Sequence, residues 1–183
     1  MTARATLIPS RSLVTDLGIV LGGAAVTALS AQVTIPTQPV PFTLQTLAVM
    51  LCGLSLGARR GALSQVAYLA GGAARLPVFA GFSAGPEHLF GPTGGYLWGF
   101  VLMAGLLGFA ADRGADRRYG FCALALLGAI TLQLFCGWAW LSTFVGFRAA
   151  FFSGVAPFAL LEIAKGAVAT FGFPPLRNRF IQS

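Results

Sequence analysis

An all-α membrane bundle of six transmembrane helices is the fold class this sequence predicts, and three observations carry the prediction. The 183 residues are 56% hydrophobic and only 9% charged, with a mean hydropathy of +0.80; a typical soluble domain carries roughly 25% charged residues. The apolar residues fall into long runs separated by breaks that hold either arginines or prolines and glycines. The arginines crowd into alternate breaks, as membrane topology signals do. A chain this apolar has no way to hide its surface in one aqueous core. About 20 apolar residues, rising about 1.5 Å each, span the hydrocarbon of a bilayer. That leaves room for about six spans in a single domain covering residues 1–183, with the lipid bilayer as its solvent.

The elements follow in order. The first apolar run is about Leu13 to Ala31, with Arg4 and Arg11 before it. A basic start, an apolar stretch and a small-residue end at Ala28-Leu-Ser-Ala31 are also features of a signal peptide. More spans follow, so a retained first helix is the simpler reading. Small residues recur along it at Gly18, Gly22, Ala24, Ala28 and Ala31. Such spacing lets helix backbones approach closely, either within this chain or against a partner subunit.

Residues 32–46, "QVTIPTQPVPFTLQT", hold Pro36, Pro39 and Pro41, which favour extended backbone. This loop has no charge, so it is expected to pack on something apolar, as a lid does. Two short helices, Thr43 to Leu56 and Ala62 to Ala74, flank "GARRG". A second loop covers residues 75–92. Thr93 reads as the N-cap of a helix from Gly94 to about Ala111. After "DRGADRRYG" a run extends from about Phe121 to Phe144, "GFRAAFFSG" turns the chain, and the last span is about Ala156 to Phe173. With the N-terminus inside, the inner segments hold Arg4, Arg11, Arg59, Arg60, Arg113, Arg117, Arg118, Arg177 and Arg179, and the outer loops hold only Arg75 and Arg148. Nine against two predicts cytoplasmic termini, with loops 32–42, 75–93 and 145–155 facing out.

Several function classes are excluded or weakened. The net charge of +7 suggests nucleic acid, but the arginines form no dense stripe with interleaved aromatics. Cys52, Cys122 and Cys136 lack zinc or disulfide spacing and read as small helix-packing residues. There is no G-x-x-x-x-G-K-[ST] phosphate loop, since Lys165-Gly166 is followed by alanine. No paired histidines hold a metal, His88 reads as a solvated loop residue, and no Ser-His-Asp set is visible. No metal, cofactor or catalytic residue is expected.

What remains is "ALLEIAKG", residues 159–166, where Glu162 and the chain's only lysine, Lys165, interrupt the last apolar run. Three residues apart, they share a helix face. Charges at bilayer depth are costly and persist when paired or functional. One reading is a buried ion pair; the other is the polar end of a small-molecule pocket, one to two turns in from the outer face. Thr43, Gln45 and Thr46 open the second helix, Gln65 and Tyr68 lie three apart on the third, and Tyr96 sits in the first turn of the fourth. Each suits either an interhelical hydrogen bond or a ligand contact. Gly91 to Gly95 suits a carboxylate bound at a helix N-terminus.

Four blocks then carry a resemblance: V-P-F-T-L-Q-T-L-A-V at 40–49, G-A-R-R-G-A at 57–62, L-P-V-F at 76–79 and G-P-T-G-G-Y at 91–96. Together, over about residues 15–170, the chain resembles the BioY family, the biotin-binding S components of energy-coupling factor (ECF) vitamin transporters. The resemblance implies a six-helix protein of the cytoplasmic membrane that captures biotin from outside. It implies partnership with a transmembrane coupling subunit, docked through Ala24 and Ala28, and with two ATPase subunits. The family's last helix carries an acid, two other residues and then lysine, which map onto Glu162 and Lys165. The usual acid there is Asp, and the family's P-F-x-x-G-D reads "PFALLE" in this chain.

Biotin's own chemistry suits these residues. Its ureido N–H groups suit Glu162, its ureido carbonyl suits Gln45 or a backbone amide, and its bicycle suits walls of Phe79, Tyr96 and Phe42. Its carboxylate suits Lys165, Arg75 or the turn before Tyr96, with Thr43 nearby. The competing readings are an intramembrane enzyme using Glu162 and Lys165 as acid and base, and a membrane scaffold in which they form an ion pair.

Overall fold

The computed structural model describes residues 13–115 and 119–181, with no account of side chains beyond residue 171. Arg4, Arg11, Arg117 and Arg118, four of the inner cations counted above, lie outside the described residues. The elements are α1 (Leu13–Ala31), β1 (Thr34–Ile35), β2 (Phe42–Thr43), α2 (Gln45–Ala73), a 3-10 turn (Ala80–Phe82), α3 (Glu87–Phe90), α4 (Gly94–Asp112), α5 (Tyr119–Val145), α6 (Phe147–Gly154) and α7 (Ala156–Ile181). The described residues are therefore mostly helical. Among the described residues, four segments are long and apolar enough to cross a membrane: Leu13–Ala31, Gly94–Asp112, Tyr119–Val145 and Phe147–Phe171.

Element α2 is one helix only by its hydrogen bonding. At Gly57 the backbone adopts φ +79° and ψ 175°, a conformation open chiefly to glycine, and the chain doubles back. Gln45 Nε2 donates to Tyr68 Oη at 2.5 Å; in a straight helix those 23 positions would stand about 34 Å apart. The two limbs, 45–56 and 58–73, correspond to the two short helices expected from sequence. The "ARRG" expected between them is helical, because Asp112 Oδ2 accepts from the Ala58 N–H at 3.0 Å and caps the second limb. A carboxylate at a helix N-terminus also suits the helix dipole.

Glycines allow the limbs to lie close to each other and to α4. A Cβ at Gly61 would stand 3.1 Å from Gly53 Cα, and one at Gly53 would stand 2.8 Å from the Ala104 carbonyl oxygen. Around this contact sit Val49, Met50, Leu54, Met103 and Leu107, all fully buried. Helix α1 joins the second limb through polar contacts. Gln65 Nε2 donates to Thr27 Oγ1 at 3.2 Å and to Ser64 Oγ at 3.1 Å, and Arg60 pairs with Asp16 at 2.6 Å. Much of α1 remains open: Leu13, Val14, Leu17, Leu21, Val26 and Leu29 are exposed, as lipid-facing residues are. Ala24 and Ala28 are half-buried against the bundle's own core, whereas Gly18 and Gly22 are exposed with open space beside them.

The proline loop is extended as expected, and Thr34 and Ile35 pair antiparallel with Thr43 and Phe42. Two expectations change. Residues 147–154, read as part of a turn, form α6, because only Gly146, at φ +84°, breaks the helical path. Thr93 makes no side-chain cap on α4. Its neighbouring glycines serve packing: Gly94 N–H is spent on the Gly91 carbonyl, and a Cβ at Gly95 would collide with Trp140 and the Cys136 carbonyl.

Candidate ligand-binding site

A cavity of about 210 Å³ opens where the proline loop, the 75–93 loop and the first turns of α2, α4 and α7 converge. Its polar end is built on "EIAK". Glu162 is 2% exposed. Its Oε1 accepts from Lys165 Nζ at 2.7 Å and from Thr46 Oγ1 at 2.9 Å. Lys165 Nζ also donates to the Thr43 carbonyl at 2.7 Å and to Thr46 Oγ1 at 2.8 Å. An ammonium has three protons, and all three are matched to acceptors. Lys165 therefore neutralises and steadies Glu162 from behind and is absent from the cavity lining. Glu162 Oε2 is buried without a hydrogen-bond partner. One carboxylate oxygen is anchored and the other is left over.

Beside it, Thr43 Oγ1 donates to Gln45 Oε1 at 3.0 Å, and Gln45 Nε2 donates to Tyr68 Oη. The relay leaves the Tyr68 hydroxyl proton uncommitted. The walls are aromatic. Phe158 stacks on Phe42 with ring centroids 4.2 Å apart, and Tyr96 lies 6.3 Å from Phe158. Phe79 meets Tyr68 edge-on at 5.5 Å. Tyr96 donates its hydroxyl to the Gly154 carbonyl at 2.8 Å, which ties α4 to α6. Two rings rest directly on backbone: a Cβ at Gly72 would fall inside the Phe79 ring's contact shell, and one at Gly137 would do the same to Tyr96. Val40 and Pro41 line the cavity from the uncharged loop, and Ser83, His88 and Thr93 line it from the second.

Of the residues singled out from sequence, Thr43, Gln45, Phe79, Tyr96 and Glu162 line the cavity, and Lys165 supports it. Arg75 does not join them: it is exposed, with φ +67°, and is not among the lining residues. His88, read as solvated, is half-buried against Phe79 at 5.5 Å. Gln133 and Phe158 were not singled out. Phe158 stands one helical turn before Glu162 on its own helix. Gln133 is an isolated amide in the 27-residue apolar α5, and that isolation was the available signal.

Comparison with known proteins agrees with this architecture. The model of the BioY family matches residues 1–182. The probable biotin transporter BioY of Pyrococcus horikoshii is 42% identical over 154 residues, covering 84% of this chain and 91% of that protein. The biotin transporter BioY of Thermotoga maritima is 37% identical over 152 residues, covering 79% and 85%. Among solved structures, the S-component for biotin from an ECF-type ABC transporter superposes with a TM-score of 0.78 at 25% identity, covering 90% of this chain and 92% of that one. With a whole-length family match, close relatives and a shared fold, this multi-pass membrane protein belongs to the BioY family.

Proposed function

We propose that the chain is the biotin-capturing subunit of an ECF-type transporter, with ATP hydrolysis supplied by partner subunits. The observation that carries the reading is the divided carboxylate of Glu162: one oxygen saturated by Lys165 and Thr46, the other buried and unpartnered beside a cavity with aromatic walls. A ureido N–H answers that oxygen, and a charge-assisted hydrogen bond of this kind is a strong one. The Tyr68 hydroxyl answers the ureido carbonyl. The bicycle lies among Phe79, Tyr96 and Phe158, and the carboxylate end points toward Ser83, His88 and Thr93. Lys165 then serves neither end of the ligand and instead holds Glu162. With all its protons donated, it is also ill placed as the acid or base of an enzyme, and the relatives are transporters by name.

Six membrane-crossing segments are part of the same reading, counting the two limbs of α2 separately, with both termini in the cytoplasm. The hairpin at Gly57 and the arginine count support it. The cavity then faces outward in the cytoplasmic membrane, and a transmembrane coupling subunit with two ATPase subunits completes the transporter. The open face of α1 suits a membrane partner.

Calorimetry on the purified chain in detergent tests the substrate. Saturable binding of biotin, competed by close biotin analogues and not by other vitamins, is the expected result; folded protein that takes up no biotin would overturn the reading. A second expectation follows from the glycine under Phe79. Gly72→Ala pushes that ring into the cavity and lowers biotin affinity about tenfold or more, since overpacking costs roughly 1–3 kcal/mol. Unchanged affinity in Gly72→Ala would show that the Phe79 wall does not touch the ligand.

A further inference from the structure

We infer that Gln133 is a specificity-determining residue of this cavity: its amide oxygen accepts a second N–H from the ligand, so the site selects molecules that present two such donors. The inference rests on the reading of the cavity as a biotin site and adds a residue to it. Among the described residues, three buried side-chain oxygens lack a hydrogen-bond partner: Thr34 Oγ1, Gln133 Oε1 and Glu162 Oε2. Thr34 belongs to the short β pairing, outside the cavity lining. The other two both line the cavity. Buried polar groups are normally hydrogen-bonded, and an exception calls for a reason.

The other buried glutamines among the described residues set the contrast. Gln45 is matched to Thr43 and Tyr68, and Gln65 to Thr27 and Ser64. Gln133 is equally buried, at 2% exposure, yet its oxygen is left over. Its stem is held: a Cβ at Gly99 would stand 3.2 Å from Gln133 Cγ, so α4 packs tightly against it. Its depth matches that of Glu162. A Cβ at Gly166 would stand 3.0 Å from Ile130 Cδ1, and the Tyr119 and Phe171 rings lie 6.0 Å apart. These two contacts make α5 and α7 antiparallel. One turn from the first of them, residue 162 comes level with residue 134, and Gln133 is its neighbour. Two unmatched acceptors on facing helices at one depth are complementary to the two N–H groups that flank a cyclic urea carbonyl. The Glu162 carboxylate has nothing to offer a ligand that lacks donors, and desolvating an unmatched acceptor is costly.

The test is a double-mutant cycle between protein and ligand. Affinities of wild type, Gln133→Leu and Gln133→Met are measured by calorimetry for biotin and for two analogues, each methylated at one ureido nitrogen. Thermal stability in detergent is recorded alongside without ligand. The variants are expected to bind biotin about tenfold more weakly, with ligand-free stability unchanged or raised, because an unmatched buried amide has been removed. For the analogue methylated at the nitrogen that Gln133 reads, the variants lose little further affinity; for the other analogue the full loss persists. Wild-type affinity in folded variants, or equal losses for both analogues, would overturn the inference. So would failure of both variants to fold, which assigns Gln133 to structure. Absence of biotin binding by wild type is a different result and removes the functional reading itself.

Discussion

Glu162→Gln is expected to lower biotin affinity about 100-fold in a protein that still folds. The substitution keeps the size of the side chain and one acceptor oxygen. It removes the charge that strengthens the bond to a ureido N–H; hydrogen bonds to charged groups contribute roughly 1.5–3 kcal/mol, against about 0.5–1.5 for neutral ones. It also forces a choice. Lys165 and Thr46 both donate to Oε1, so the amide turns its oxygen toward them and presents an N–H₂ where the ligand needs an acceptor. Two donors then face each other, and this clash adds to the loss. Calorimetry with biotin, beside a melting curve in detergent, separates a lost contact from a lost fold. Wild-type affinity in folded Glu162→Gln protein would remove Glu162 from the site and leave the pair as a structural element.

Removing the lysine acts differently. Lys165→Met leaves the Glu162 carboxylate buried with Thr46 as its one remaining donor, and takes away the link from α7 to the Thr43 carbonyl. Deleting one partner of a buried ion pair costs about 3–5 kcal/mol, so both stability and biotin affinity should fall. The informative protein is the double variant Glu162→Gln/Lys165→Met. It no longer buries a lone charge, so most of the stability should return while the affinity does not. If the double variant regained both, the pair would matter for the fold and not for the ligand. If Lys165→Met melted and bound like wild type, the account of Lys165 as the support of Glu162 would fail.

Much of this site was legible because it is local in sequence. The i, i+3 spacing of Glu162 and Lys165 puts them on one face whatever the tertiary fold, and burial in an apolar run then demands pairing. The charge-free proline loop announced its apolar contact, and Val40 and Pro41 do line the cavity. Features that depend on distant partners were not legible. Gln65 and Tyr68 are three residues apart, yet one bonds α1 and the other faces the cavity; nothing in their spacing assigns which. "GARRG" offers two glycines for one reversal, and Gly57 takes it with Asp112, 55 residues on, capping the limb that follows. Arg75 neighbours cavity residues in sequence but points elsewhere, because its left-handed backbone turns it out. The last two glycines of "GPTGG" admit Trp140, a residue of a distant helix.

The seating of Phe79 on Gly72 and of Tyr96 on Gly137 has a consequence for release. A ring backed by another side chain can yield by a rotamer change; a ring backed by main chain cannot retreat unless that main chain moves. The gap between these two walls is thus geared to the spacing of the second limb of α2, α4 and α5, in the manner of a caliper whose jaws are fixed to its arms. Separating those helices by an ångström widens the gap by a similar amount and forfeits dispersion contacts along both ring faces. Biotin held between the rings would then be loosened by a pull applied far from it, and a subunit gripping the outside of the bundle would need no access to the ligand to set it free.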